Sequence, residues 1–144
     1  MPVSSVARQK NELVTVSPDT PVQDVADLMR RESVGSIIVV RGNEPAGIVT
    51  DRDIALDIVA EGQDFTDLTA RDVMAHDPVT VDASEGIFEA CRLMRERSIR
   101  RLPVIKDGEL VGIVTLDDLI VLLDDEMSDL SEVIRDESPP WETA

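Results

Sequence analysis

Twice in this chain a threonine that closes an apolar stretch is followed three residues later by an aspartate. Thr50-Asp51-Arg52-Asp53 follows "AGIV", and Thr115-Leu116-Asp117-Asp118 follows "VGIV". At that spacing the hydroxyl caps a helix that starts after the threonine, and the carboxylate reaches back to the cap's own amide. A helix start of this kind also presents free amides and the positive end of the helix dipole, where a phosphate group settles. The chemistry these residues suit is recognition of an anion. Bond-breaking chemistry finds little support, because one histidine, His76, and one cysteine, Cys91, do not assemble a nucleophile, a base and an orienting group. No catalytic residue is assigned and the chain is not read as an enzyme. The same two residues leave no cluster at zinc spacing and no internal disulfide, and no metal ligand is assigned.

The elements that must hold these pairs repeat as well. A shift of 65 residues lays Val14-Thr15-Val16 on Val79-Thr80-Val81, Leu28-Met29-Arg30 on Leu93-Met94-Arg95, Ser33 on Ser98 and Gly47 to Thr50 on Gly112 to Thr115, without a gap. This is an internal duplication. In the first copy Thr20-Pro21-Val22-Gln23 predicts a helix capped by Thr20 with Pro21 in its first position. Val22, Val25, Ala26, Leu28 and Met29 recur at helical spacing through Glu32. "SIIVV" and "AGIVT" around "RGNEP" then predict a hairpin of buried strands, followed by a second helix over 52–61. The second copy predicts a helix over 85–97, strands "RLPVI" and "LVGIV" around "KDGE", and a last helix over 116–125. Cys91 overlays Ala26 and reads as a small core residue. A unit of about 50 residues has too little core to stand alone, so the copies must bury each other.

Composition narrows the partners. The chain has 144 residues, 30 acidic against 14 basic, for a formal net charge of −16. Phosphate backbones are repelled by that field, which argues against nucleic acid. No apolar run reaches the roughly 18 residues of a membrane span, and "MPVSSVARQKNELV" lacks the basic flank and apolar stretch of a secretory signal. A cytoplasmic location is expected, without membrane association. Acid-rich, lysine-poor composition is halophile-like, suited to high internal salt, where screening relieves self-repulsion.

The repeated Gly-x-Val-Thr-x-x-Asp, with "TARDVM" (69–74) and "SIRRLPVI" (98–105), resembles the cystathionine-β-synthase-type (CBS) domain. From about residue 5 to 126 the chain is similar to a stand-alone tandem CBS pair. The resemblance implies an α/β (α+β) fold of two β-α-β-β-α repeats, related by a pseudo-two-fold axis and packed through their sheets as one module. Repeat 1 is assigned to 5–65, repeat 2 to 66–126 and a partly disordered tail to 127–144. It also implies a non-catalytic regulatory role. Such pairs bind an adenosine-containing ligand, AMP, ADP, ATP or S-adenosylmethionine, in the inter-repeat clefts, commonly as a homodimer, and signal occupancy to a partner. No effector domain lies in the sequence, so an effector protein is expected.

The resemblance implies site residues too. Thr50 and Thr115 would bond phosphate or ribose oxygens, and Asp53 and Asp118 would accept from the ribose hydroxyls, two oxygens facing two donors. The copies differ where charge matters. Arg100 and Arg101 overlay Gly35 and Ser36, and guanidinium groups fork phosphate as glycine and serine cannot. The preferred site is therefore the crevice with Arg100, Arg101, Thr115 and Asp118, which Arg52 would reach across to join. Val16, Val81, Ile37, Leu102 and Pro103 are the expected adenine slot. With no Tyr, two Phe and one Trp, aromatic stacking is not expected to anchor the base.

Two other readings stay open. The module could serve only for dimerisation or partner docking, without nucleotide. Asp117-Asp118 and Asp124-Asp125-Glu126 could sense divalent cations, although such runs are more often solvated surface. His76 reads as a loop residue. The tail "MSDLSEVIRDESPPWETA" suggests a short helix around Leu130, Val133 and Ile134 before turning polar, with Trp141 near its end.

Overall fold

The computed structural model describes residues 1–137; the expectations for Trp141 lie outside them. Two four-stranded sheets form, each built around one of the predicted hairpins. In the first, β3 (Ser36–Arg41) pairs with β4 (Glu44–Thr50), flanked by β2 (Thr15–Val16) and β5 (Ala75–His76), in the order β2-β3-β4-β5. In the second, β7 (Arg101–Lys106) pairs with β8 (Glu109–Thr115), flanked by β6 (Val81–Asp82) and β1 (Arg8–Gln9), in the order β1-β8-β7-β6. The 65-residue offset holds in the fold, since Ser36 faces Thr50 across the first hairpin and Arg101 faces Thr115 across the second.

The edge strands β1 and β5 are exchanged between copies. β1, from the start of the chain, completes the second sheet against β8, whereas β5, from the segment between the copies, completes the first against β4. Glycines permit this close pairing. A Cβ on Gly112 would collide with the backbone oxygen of Arg8, and one on Gly47 would sit 2.9 Å from that of Ala75. The duplicated glycine thus answers to an edge strand pressed against it.

Each sheet has helices on its outer face. α1 (Val22–Glu32) and α4 (Ile87–Arg97) both stop at a serine in the left-handed region, Ser33 and Ser98 at φ 54° and 53°. Pro21, not Thr20, is the residue before α1. Its backbone is extended and bridged to Thr69, while the Val22 amide donates to the Leu68 oxygen. A strand-like bridge replaces the expected side-chain cap. α2 (Asp51–Asp53) continues as a π-helical stretch, Ile54–Val59, α3 (Ala70–Val73) leads into β5, and α5 (Leu116–Glu137) runs 22 residues. The expected break near residue 125 is absent; no glycine or proline lies between Gly112 and Glu137 to impose one.

Three apolar clusters follow. One lies under α1 and includes Val25, Ile37, Val39, Val49 and Ile58; a second lies under α4 and includes Val3, Leu102, Val104, Val114 and Leu119. The third, Ile38, Leu110 and Ile113 with Leu13 and Val40 against it, joins the two sheets face to face. The Leu110 amide also donates to the Asn43 oxygen across that junction, at 2.8 Å. Cys91 is exposed, not a core residue. Among the described residues no helix is long and apolar enough to cross a membrane.

Candidate functional site

Where the sheets meet, a cleft of ≈ 230 Å³ opens between the end of β8 and the entrance of β3. The second copy contributes Arg101, Ile113, Thr115 and Asp117. The first contributes Val14 and the segment Ser33-Val34-Gly35-Ser36 with Ile38, and the N-terminal segment adds Arg8, Glu12 and Leu13. One wall is apolar and the other is set with hydroxyl, guanidinium and carboxylate groups.

β8 delivers Thr115 to the start of α5, where the Asp118 amide donates to Thr115 Oγ1 at 3.1 Å. Arg101, the first residue of β7, stands across the hairpin from Thr115 and is held by the same register that buries Leu102 and Val104 behind it. Because β1 pairs with β8 at Arg8 and Ile113, the Arg8 side chain reaches the same helix start. Its Nη2 donates to Asp118 Oδ1 at 3.2 Å. The other carboxylate oxygen, Asp118 Oδ2, is buried and has no hydrogen-bond partner. A buried acceptor left unpaired costs about 1–3 kcal/mol, and Asp118 stands behind the cleft, whose lining at this end is Arg8, Arg101, Thr115 and Asp117.

The first copy handles the same two residue types differently. Thr50 and Asp53 form a reciprocal capping box: the Thr50 amide donates to Asp53 Oδ2 at 2.9 Å, and the Asp53 amide donates to Thr50 Oγ1 at 3.1 Å. At the second site only the threonine half of that box is made, and the carboxylate turns to Arg8. The cause is the exchanged edge strand. By register Ala75 occupies beside β4 the place that Arg8 occupies beside β8, and a methyl group offers Asp53 no cation.

Several expected residues stand elsewhere. Arg100 does not line the cleft; it is exposed and paired with Asp117, 3.2 Å away. Arg52 is exposed on α2, and neither it nor Thr50, Asp53 or Asp118 lines this cleft. The expected adenine slot is corrected. Val16 and Ile37 belong to the cluster under α1, and Val81 and Leu102 to that under α4; Pro103 is fully buried. Successive strand residues face opposite sides, so the apolar wall comes from the next residue on, Ile38, together with Leu13, Val14, Val34 and Ile113. The sequence reading also missed Arg8, which lies outside the overlaid copies. The acidic pair Asp117-Asp118 is engaged by two arginines, and among the described residues no group of three or more metal-ligating side chains forms.

Comparison with known proteins agrees with this architecture. The CBS domain family is matched twice, over residues 3–60 and 70–125. The CBS domain-containing protein YhcV of Bacillus subtilis is 40% identical over 110 residues, covering 76% of this chain and 78% of its own. Uncharacterized protein MK0525 of Methanopyrus kandleri is 35% identical over 139 residues, 90% of this chain and 70% of its own. Among solved structures, that of CBSX2 in complex with AMP superposes with a TM-score of 0.75 at 27% identity, covering 88% of this chain and 98% of that one. With two matched copies, a sheet-to-sheet junction and a cleft between them, this chain belongs to the CBS domain family as a tandem pair.

Proposed function

We propose that this tandem pair is a non-catalytic regulatory module that binds an adenosine-containing ligand, AMP, ADP, ATP or S-adenosylmethionine, in the cleft between its copies. The observation that carries the reading is a cleft between the copies, at the start of α5, that brings Arg8, Arg101 and Thr115 together against an apolar wall. Asp118, held at the start of α5 by Arg8, accepts from the ribose hydroxyls. Arg8, Arg101 and the Thr115 hydroxyl hold phosphate at the start of α5, where the helix dipole adds its attraction. The base lies against Leu13, Val14, Val34, Ile38 and Ile113. CBSX2, solved with AMP at similar fold and 27% identity, supports the ligand class. In the first copy Thr50 and Asp53 serve chiefly as a cap, so the two clefts are unequal in affinity.

The module acts in the cytoplasm as a homodimer and passes occupancy to an effector protein, without contact with nucleic acid or membrane. Thermal unfolding with each ligand tests the reading. Ligand at ten times its Kd contributes about 1.4 kcal/mol, which raises Tm by about 4 °C in a domain of this size. No shift with any of the four ligands at millimolar concentration favours a docking module without nucleotide.

A further inference from the structure

The cleft is sparing with positive charge. Its charged lining sets Arg8 and Arg101 against Glu12 and Asp117. Arg8 pairs with Asp118 behind the cleft and Asp117 pairs with Arg100 outside it, each at 3.2 Å. Among the described residues Arg101 and Glu12 take part in no ion pair. One guanidinium and one carboxylate are left to meet a ligand.

Glu12 is held in place through the backbone. It closes the 3-10 turn Lys10–Glu12, and its Oε2 accepts from the Gln9 amide at 3.0 Å. That amide is bonded directly to Arg8, so the carboxylate stands beside a residue assigned to phosphate. Glutamine serves as well as glutamate at this capping position. The turn needs the oxygen of Glu12 and has no use for its charge.

That charge bears on what the cleft accepts. A nucleoside monophosphate brings about two negative charges, which Arg8, Arg101, Thr115 and the positive end of α5 oppose. Each further phosphate in ADP and ATP adds roughly one more, and the charged groups of the lining that remain are Glu12 and Asp117. The cleft, at ≈ 230 Å³, is smaller than the roughly 300–1,000 Å³ of pockets that enclose drug-sized ligands. A net charge of −16 adds no long-range attraction for a polyphosphate.

We infer that the cleft sorts adenosine nucleotides by charge, preferring AMP to ADP and ADP to ATP, and that Glu12 is a residue that sets this order. The inference rests on the nucleotide reading of the cleft and adds selectivity to it.

Calorimetric titration of AMP, ADP and ATP into the unaltered chain tests it, in magnesium-free buffer at about 0.1 M salt, where the Debye length is about 10 Å. Kd rises at each added phosphate, and ATP binds at least about tenfold more weakly than AMP. Glu12→Gln keeps an acceptor for the Gln9 amide, leaves Tm unchanged and narrows the ratio of the ATP and AMP constants about threefold to fivefold. Glu12 is exposed, so molar KCl screens it and narrows the ratio in the unaltered chain as well. Equal constants for AMP and ATP, or a ratio that stays fixed in Glu12→Gln or in molar KCl, overturns the inference. If AMP itself does not bind, the nucleotide reading falls and the inference with it, whereas AMP binding without discrimination removes the inference alone.

Discussion

Arg8 Nη2 stands 3.2 Å from Asp118 Oδ1, joining a strand from the first few residues of the chain to the first turn of α5 more than a hundred residues later. The contact holds one carboxylate oxygen and leaves the other, Oδ2, buried and free. Both partners are reached by solvent, with side-chain exposures of 60% and 22%, so the pair contributes little to stability, about 0–1 kcal/mol. Its effect falls on the cleft. Arg8→Ala is expected to weaken AMP binding about tenfold, one charge-assisted contact's worth, while the urea midpoint changes little.

The two Thr-x-x-Asp pairs should answer differently to the same substitution. Asp53→Ala breaks a reciprocal capping box and is expected to destabilise the fold by about 1 kcal/mol. Asp118→Ala removes an exposed ion pair and an unsatisfied acceptor, two effects of opposite sign, and should leave the unfolding free energy within about 0.5 kcal/mol of the parent. Chemical denaturation of both variants checks this; equal losses would show that the second aspartate is a structural cap after all.

Gly112→Ala forces a methyl group into the backbone of Arg8. Since the obstacle is main chain and not a yielding side chain, the variant is expected to lose about 1–3 kcal/mol and to release β1. Hydrogen exchange should then report faster exchange at 8–9, and AMP binding should fall along with it. Gly108→Ala, where nothing lies within 4 Å but φ is +79°, is the comparison: it strains a turn far from Arg8 and should spare the ligand.

How much of this could be read from the residues alone depends on periodicity. The duplicated hairpins and helices were legible because a fixed offset of 65 and turn residues such as Asp107-Gly108, both at positive φ, state themselves locally. The face of β3 was not. In "SIIVV" both sides of the strand are apolar, since one side meets α1 and the other meets the second sheet, so alternation gives no hint that Ile38 and not Ile37 reaches the cleft. Arg8 escaped because the exchanged edge strands follow an offset of 67, the difference between Gln9 opposite Gly112 and His76 opposite Gly47. The length of α5 was visible in principle, in the unbroken three-and-four spacing to Ile134.

Salt and acid should act in opposite ways on the folded state. With a net charge of −16, the chain repels itself at low ionic strength, and screening at molar KCl, where the Debye length is about 3 Å, is expected to raise Tm steeply. A flat Tm across that range contradicts it. Hydrogen bonds from Arg30 and Arg92 hold the Asp27 and Glu89 carboxyls below the ordinary range, and those from Thr66 and Ser84 do the same for Asp64 and Asp82. Such groups contribute stability above their unfolded values and lose it as pH falls through the folded ones. Denaturant midpoints in high salt should therefore hold near neutrality and decline below about pH 4.

Calorimetric titration of AMP into the unaltered chain and into Asp118→Ala, side by side, tests the proposed cleft most directly. Saturable binding by the first, and its loss in an equally stable second, is the expected result. Absence of heat from the unaltered chain at millimolar AMP, or binding that Asp118→Ala leaves untouched, would contradict the assignment of that carboxylate to the ligand.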